Sequence, residues 1–145
     1  MNSLKDGVWP RREFQLKCLD TDLLIAILRG KKEAYNAVAK IDEEAKNATT
    51  TINGFEIFFG AHKSAKKSEN IEAALKLFDK LEVIPLEFSA AQKAGEISAK
   101  LMAKGEPIDY RDAMIAAIAI ENELTLVTRN KSRFCRIKNL KLETW

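Results

Sequence analysis

One histidine and two cysteines in 145 residues leave several chemistries without their reagents. A serine or cysteine nucleophile working with an imidazole base has only His62 to draw on. His62 falls at the polar end of a helical segment, where a solvated surface residue is expected. Cys18 and Cys135 stand far apart in the chain, each beside apolar residues. They read as reduced, buried thiols rather than as a disulfide or a zinc site. No apolar run approaches the roughly 20 residues that span a bilayer, and the stretch MNSLKDGVWPRREFQ lacks the apolar core of a secretory signal. A soluble, cytoplasmic protein with no membrane attachment is therefore expected. Repeats, low-complexity tracts and linkers are also missing, so one domain over residues 14–145 follows, preceded by an irregular arm over residues 1–13.

With 46% hydrophobic and 31% charged residues the chain has the means to fold around a core. Periodicity divides it into alternating strands and helices. Leu16, Cys18 and Leu19 suggest a strand ending at Asp20, followed by the apolar helix LLIAILRG that Gly30 stops. Thr21 or Asp22 is the natural cap of that helix, which leaves the Asp20 carboxylate free. An amphipathic helix from Lys31 to Asn47 with Tyr35, Val38 and Ile41 on one side comes next, then a β-branched strand at Ala48 to Thr51 and a helix carrying Phe55, Phe58 and Phe59. Ile71, Ala74, Leu75 and Phe78 form the buried stripe of a further helix. LEVIPLE reads as an edge strand because of Pro85, and Ser89 to Lys104 as a helix with a serine cap and Gly105 beyond its end. After Asp112 come eight apolar residues, Ala113 to Ile120, so that helix is covered on every side. LTLVT and KLETW supply the last strands. Strands alternating with helices predict an α/β sandwich around a mainly parallel sheet.

The net charge is +3. Between Arg129 and Lys141 six basic residues occur without an acid, a stripe that suits either a phosphate backbone or a solvated face. The acids are more telling. Asp109 has the position of a helix cap, while Asp112, three residues on, either complements the helix dipole or serves as a ligand held ionised there. Asp20 stands at the end of a strand, where open parallel sheets bind ligands. Glu56 shares a helix face with Ile52, Phe59 and Gly60, a setting that costs several kcal/mol unless a lysine or a shared cation pairs with it. Three such carboxylates, with neither histidine nor cysteine among them, would select a hard ion, magnesium or manganese, suited to phosphoryl chemistry through an activated water. Thr128 and Asn130, at the end of LTLVT, either orient that water or merely form the turn. The Asp-x-Asp of LDTD also fits an aspartate-nucleophile phosphatase, but that reading leaves Glu56 unexplained.

The stretches LDTDLLI, TTTINGFEIFFG, IDYRDAMIAAIAI and LTLVTRNKSRF, in this order, resemble the PIN-domain ribonucleases, and within them the VapC-type toxins of toxin–antitoxin pairs. The resemblance covers nearly everything from Leu19 onward. It implies a PIN-like α/β/α sandwich and metal-dependent endoribonuclease activity on single-stranded or looped RNA. By the same resemblance Asp20, Glu56 and Asp112 would bind Mg2+ or Mn2+, and the protein would be a homodimer neutralised by a small antitoxin. Lys63, Arg129, Lys131 and Arg133 are the residues expected to grip RNA. Asn130 departs from the pattern, since many members carry a fourth acid near that position; an amide is the weaker ligand, which argues against a second ion. The same departure motivates the alternative of a catalytically weak or inactive PIN module that binds RNA or a protein partner.

Overall fold

Five strands of three residues each build one sheet: β1 (Lys17–Leu19), β2 (Ala48–Thr50), β3 (Glu82–Ile84), β4 (Thr125–Val127) and β5 (Lys141–Glu143). The computed structural model describes residues 16–42 and 47–145, so the expected arm over residues 1–13 lies outside the described residues. Strand order is β3-β2-β1-β4-β5, and every pairing is parallel. Parallel neighbours require a crossover between them. The chain supplies α1 (Thr21–Leu28) and α2 (Lys32–Asp42), then α3 (Thr51–Lys63) and α4 (Lys67–Asp79), then α5 (Phe88–Ala103) and α6 (Tyr110–Glu121). A single turn of helix, α7 (Lys131–Phe134), joins β4 to β5. The sequence pattern gave no sign of α7, since four residues are too few to show a period.

Successive residues of a strand face opposite sides of the sheet, and each side here has its own core. Cys18 and Leu126 point toward α5, α6 and α7, packing with Ile115, Ile118 and Phe134. Leu19 and Val127 point toward α1, α3 and α4, packing with Leu23, Leu24 and Ile57. The result is the expected α/β/α sandwich. As its unbroken apolar run requires, α6 buries Ala113 and Ile115 through Ala119. Pro85 follows β3, which is an edge strand. Gly30 and Gly105, past the ends of α1 and α5, hold φ of 71° and 74°, the left-handed conformation that closes a helix most cheaply with glycine.

Several finer expectations are corrected. Tyr35 and Leu75 are more than half exposed, and the residues that α2 and α4 bury are Ala34 and Ala74. α2 lies against α1 and α4 mainly against α3, and small residues fill those contacts, so the larger side chains reach past them into solvent. Phe55 and Phe59 are also exposed and stack on each other at 5.9 Å. Ser89 does not cap α5; Ala91 N–H donates to the Glu87 carbonyl, and the helix starts one residue before Ser89. Cys18 is fully buried, which pushes its thiol pKa well up, but Cys135 is exposed. Cys135 follows the single turn α7, whose buried residue is Phe134.

Candidate active site

The chain leaves β1 toward β2 on one side, and β4 lies on the other, so a crevice opens above the carboxyl ends of β1 and β4. β1 runs into Asp20 and β4 into Thr128, tied by Asp20 N–H to the Val127 carbonyl at 3.1 Å. Asp20 occupies the capping position of α1, and its carbonyl accepts the Leu23 and Leu24 amides. This corrects the assignment of the cap to Thr21 or Asp22. The Asp20 side chain nevertheless caps nothing. Its Oδ2 accepts from the Thr128 hydroxyl at 2.7 Å and its Oδ1 from Asn53 Nδ2 at 3.1 Å. Only 6% of Asp20 is exposed.

Asn53 was not foreseen, although TTTIN carries the signal. Thr50 caps α3 by accepting the Ile52 and Asn53 amides, and the Asn53 side chain answers by accepting from Thr50. That reciprocal cap fixes the amide so that Nδ2 reaches both Asp20 and the Thr21 hydroxyl. Thr21 in turn donates to Glu56 Oε1 at 2.8 Å. Glu56 thus gains a hydroxyl and, at 3.7 Å, the Arg111 guanidinium; the expected lysine partner is an arginine that is itself forked onto Asp109. Asp109 caps α6 by accepting from Arg111 N–H, as expected. Asp112, in the first turn of α6 and 8% exposed, has Arg133 Nη1 at 3.7 Å.

Burial raises the pKa of all three carboxyl groups, and charge adds to it. Asp20 is pushed up first by desolvation and then by Asp22 and Asp112, against the Thr128 bond. Desolvation also leads for Glu56, with repulsion from Asp20 added and the Thr21 bond opposing. For Asp112 desolvation again comes first, and Asp109 and Glu56 add to it while Arg133 offsets part. Asp20, Glu56 and Asp112 therefore sit close enough to feel one another.

Asp22, expected as a helix cap, has instead an unforeseen place in the site. Its Oδ2 accepts from Arg129 N–H at 2.9 Å, the Thr128 hydroxyl at 3.1 Å and Asn130 Nδ2 at 3.3 Å, while Trp145 Nε1 donates to its Oδ1 at 3.0 Å. One carboxylate thereby gathers the whole turn after β4. Asn130 belongs to this turn and faces Asp22, with its own N–H on the Thr128 hydroxyl. Arg129 stacks on Trp145 at 3.6 Å and pairs with Glu33, so its guanidinium is committed to the fold. Arg133 points at the acids and Lys131 is exposed beside it. Lys63 lies seven residues beyond Glu56 on α3, about 10 Å along the helix, with its ammonium over Phe59. The structure thus gathers Asp20, Glu56, Asp112 and Thr128, sets Asn130 at their margin and leaves Lys63 apart.

Among the described residues no three histidine, cysteine or acidic side chains close on a common point. The oxygen-only set and its mutual repulsion suit a hard cation held by one or two carboxylates, with water completing the shell.

The PIN domain family matches residues 17–140. The tRNA(fMet)-specific endonuclease VapC of Salmonella typhimurium is 31% identical over 127 residues, covering 88% of this chain and 96% of that protein. Ribonuclease VapC2 of Rickettsia felis is 34% identical over 131 residues with the same coverage. Among solved structures, VapBC2 from Rickettsia felis bound to a promoter DNA fragment superposes with a TM-score of 0.84 at 30% identity, covering 90% of this chain and 99% of that one. DNA-bound VapBC from Salmonella typhimurium gives 0.82 at 30% identity, covering 91% and 99%.

Proposed function

The chain belongs to the PIN-domain family, and from that premise we propose that it is the endoribonuclease toxin of a toxin–antitoxin pair. The observation that carries this reading is the approach of Asp20, Glu56 and Asp112, carried by three separate elements, to the switch in strand order, where each is partly or wholly buried and raised in pKa by burial and by another of the three. Relatives that cover almost their whole length support it: their names are those of ribonucleases, and the solved neighbours are toxin–antitoxin complexes.

In this reading one or two of the carboxylates of Asp20, Glu56 and Asp112 would hold Mg2+ or Mn2+ directly and the rest through water, and the ion would supply a nucleophilic water at neutral pH and neutralise charge on a scissile phosphate. Thr128 and Asn53 fix both oxygens of Asp20, so that carboxylate is preorganised rather than free to turn. Thr21 orients Glu56 in the same way. Arg111 and Arg133, each 3.7 Å from an acid, stand at the rim, where RNA phosphates would draw them off the carboxylates. Lys131 joins them there. Arg129 acts through Trp145 and Asp22 to hold the turn. RNA is the substrate class, the working form is a homodimer in the cytoplasm, and a small antitoxin covers the acids in the resting pair. No helix of the described residues is long and apolar enough to cross a membrane.

Cleavage of a mixed pool of structured RNAs tests the proposal, with magnesium, manganese or chelator, beside Asp112→Asn. Metal-dependent cuts that disappear in the variant are expected. Folded, antitoxin-free protein that binds RNA yet cuts nothing with either metal would replace the nuclease by the binding module, a reading favoured by the loose convergence of the three acids.

A further inference from the structure

A cleft of about 470 Å³ opens between α5 and the segment after α7, away from Asp20 and Glu56. Its floor is apolar, made by Ile97, Leu101, Ile120 and Ile137. Its rim is basic: Lys93, Lys100, Lys104, Arg136 and Lys138 line it against one acid, Glu96. Lys100 and Lys93 spend part of their charge on Glu96, at 2.7 and 3.5 Å. Lys104 and Lys138 have no ion-pair partner among the described residues and are exposed.

Arg136 gives the cleft a fixed feature. Its guanidinium donates to the Glu106 and Pro107 carbonyls at 2.8 and 3.2 Å, and its Nε to the Arg133 carbonyl at 3.4 Å. The planar cation is locked in place without using an acid, so its charge is not cancelled. Arg133, three residues earlier, reaches Asp112. Arg133, paired with Asp112, and Arg136, lining the cleft, are thus joined by the bond to the Arg133 carbonyl and form a basic line between the acids and the cleft.

We propose that this cleft is a second RNA-contact site, one that takes a single-stranded stretch of the substrate outside the scissile segment. The inference rests on the nuclease reading above. An apolar floor beside a locked guanidinium suits the face of a base, which stacks on apolar surfaces and arginine planes. Ammonium groups on a flexible rim suit the phosphates on either side of it. A protein partner of matching shape would need acidic residues in place of phosphates, and the continuity of the basic line with the catalytic acids favours the molecule that must also reach those acids.

The test uses Asp112→Asn protein, so that bound RNA stays intact, and two fluorescent single-stranded RNAs. One is long enough to span both sites, the other short enough to fill only the acidic crevice. Lys104→Ala with Lys138→Ala is the variant, and Lys31→Ala with Lys32→Ala is the control for general charge. Arg136 is left unchanged because it holds the 106–107 backbone. The expected result is roughly tenfold weaker binding of the long RNA by the Lys104/Lys138 variant, with a salt slope reduced by about 1.4, the loss of two single-strand phosphate contacts. The short RNA and the Lys31/Lys32 control are expected to match the parent, as is the melting temperature. Equal slopes and affinities on the long RNA would overturn the inference while leaving the nuclease reading intact. Equal losses on short and long RNA, or in the control pair, would also overturn it, as would unchanged RNA binding with loss of antitoxin binding. Absence of both RNA binding and cleavage in the unsubstituted chain would instead remove the reading on which it rests.

Discussion

Asp112 is held in a place that disfavours its charge. Desolvation, Asp109 and Glu56 all raise its pKa, and Arg133 offsets only part of this. A carboxyl group whose folded pKa exceeds its unfolded value makes the folded chain bind more protons, so stability falls as pH rises through that interval and stays reduced above it. Asp112→Asn is therefore expected to raise the melting temperature at pH 7 by roughly 3–5 °C, the shift that about 1 kcal/mol produces in a domain of this size. The difference should close as pH is lowered through the carboxylate range. Calorimetry at both ends checks this, and an equal or lower melting temperature at pH 7 would mean that the Arg133 contact outweighs burial. Asn53 has the opposite character. Its buried amide serves Asp20, Thr21 and Thr50 together, so Asn53→Ala should cost about 2 kcal/mol in urea unfolding, as unsatisfied buried groups do. A loss below about 0.5 kcal/mol would show that water replaces the amide at no cost. Asp20, Glu56 and Asp112 could be picked out from the sequence because acids in apolar settings are conspicuous there. Asp22 could not, and of Asn53 only the local cap in TTTIN could, because what the two side chains do in the site depends on partners 32 to 123 residues away.

The elements differ in how much of them the sequence discloses. Every strand and every long helix followed from periodicity and its stops, since an apolar stripe or a β-branched run is a local property. Exposure did not follow as well, because it depends on what lies over the element. Leu75 belongs to a good stripe on α4, yet Ala74 is the residue that α4 buries, and Leu75 is more than half exposed. α6 is the reverse case, with Ala116 and Ala117 fully buried between the sheet and α5. Ala116→Leu should therefore destabilise by about 1–3 kcal/mol through overpacking. Leu75→Ala should stay within about 0.5 kcal/mol. Denaturant midpoints separate the two, and a larger loss for Leu75 than for Ala116 would mean that α4 has a covering partner in solution.

At the scale of the whole molecule, the buried acids oppose folding in isolation, and on the proposed reading a cation would reverse the sign. Magnesium at a hundredfold excess over its dissociation constant should stabilise the protein by about 2.7 kcal/mol, and Asp112→Asn should lose most of that gain. Thermal melts across a magnesium titration measure both; a response identical in the two proteins would place the ion elsewhere. The alternation of elements made the layered architecture legible. The order of the strands was not legible in the same way, because which strand crosses to which side is decided by how the crossovers pack.

The hydrogen bond from Thr128 to Asp20 joins residues 108 positions apart, and it does so across neighbouring strands that the chain visits first and fourth. During synthesis Asp20, Glu56 and Asp112 all emerge before β4 can enter the sheet. Until then Asp20 lacks its hydroxyl donor and Asp22 lacks its turn. A ribosome-bound fragment that stops short of Thr128 thus carries all three acids and no assembled centre. The enzyme would come into being in one late step, a timing that gives a newly made partner the chance to be waiting when the site closes.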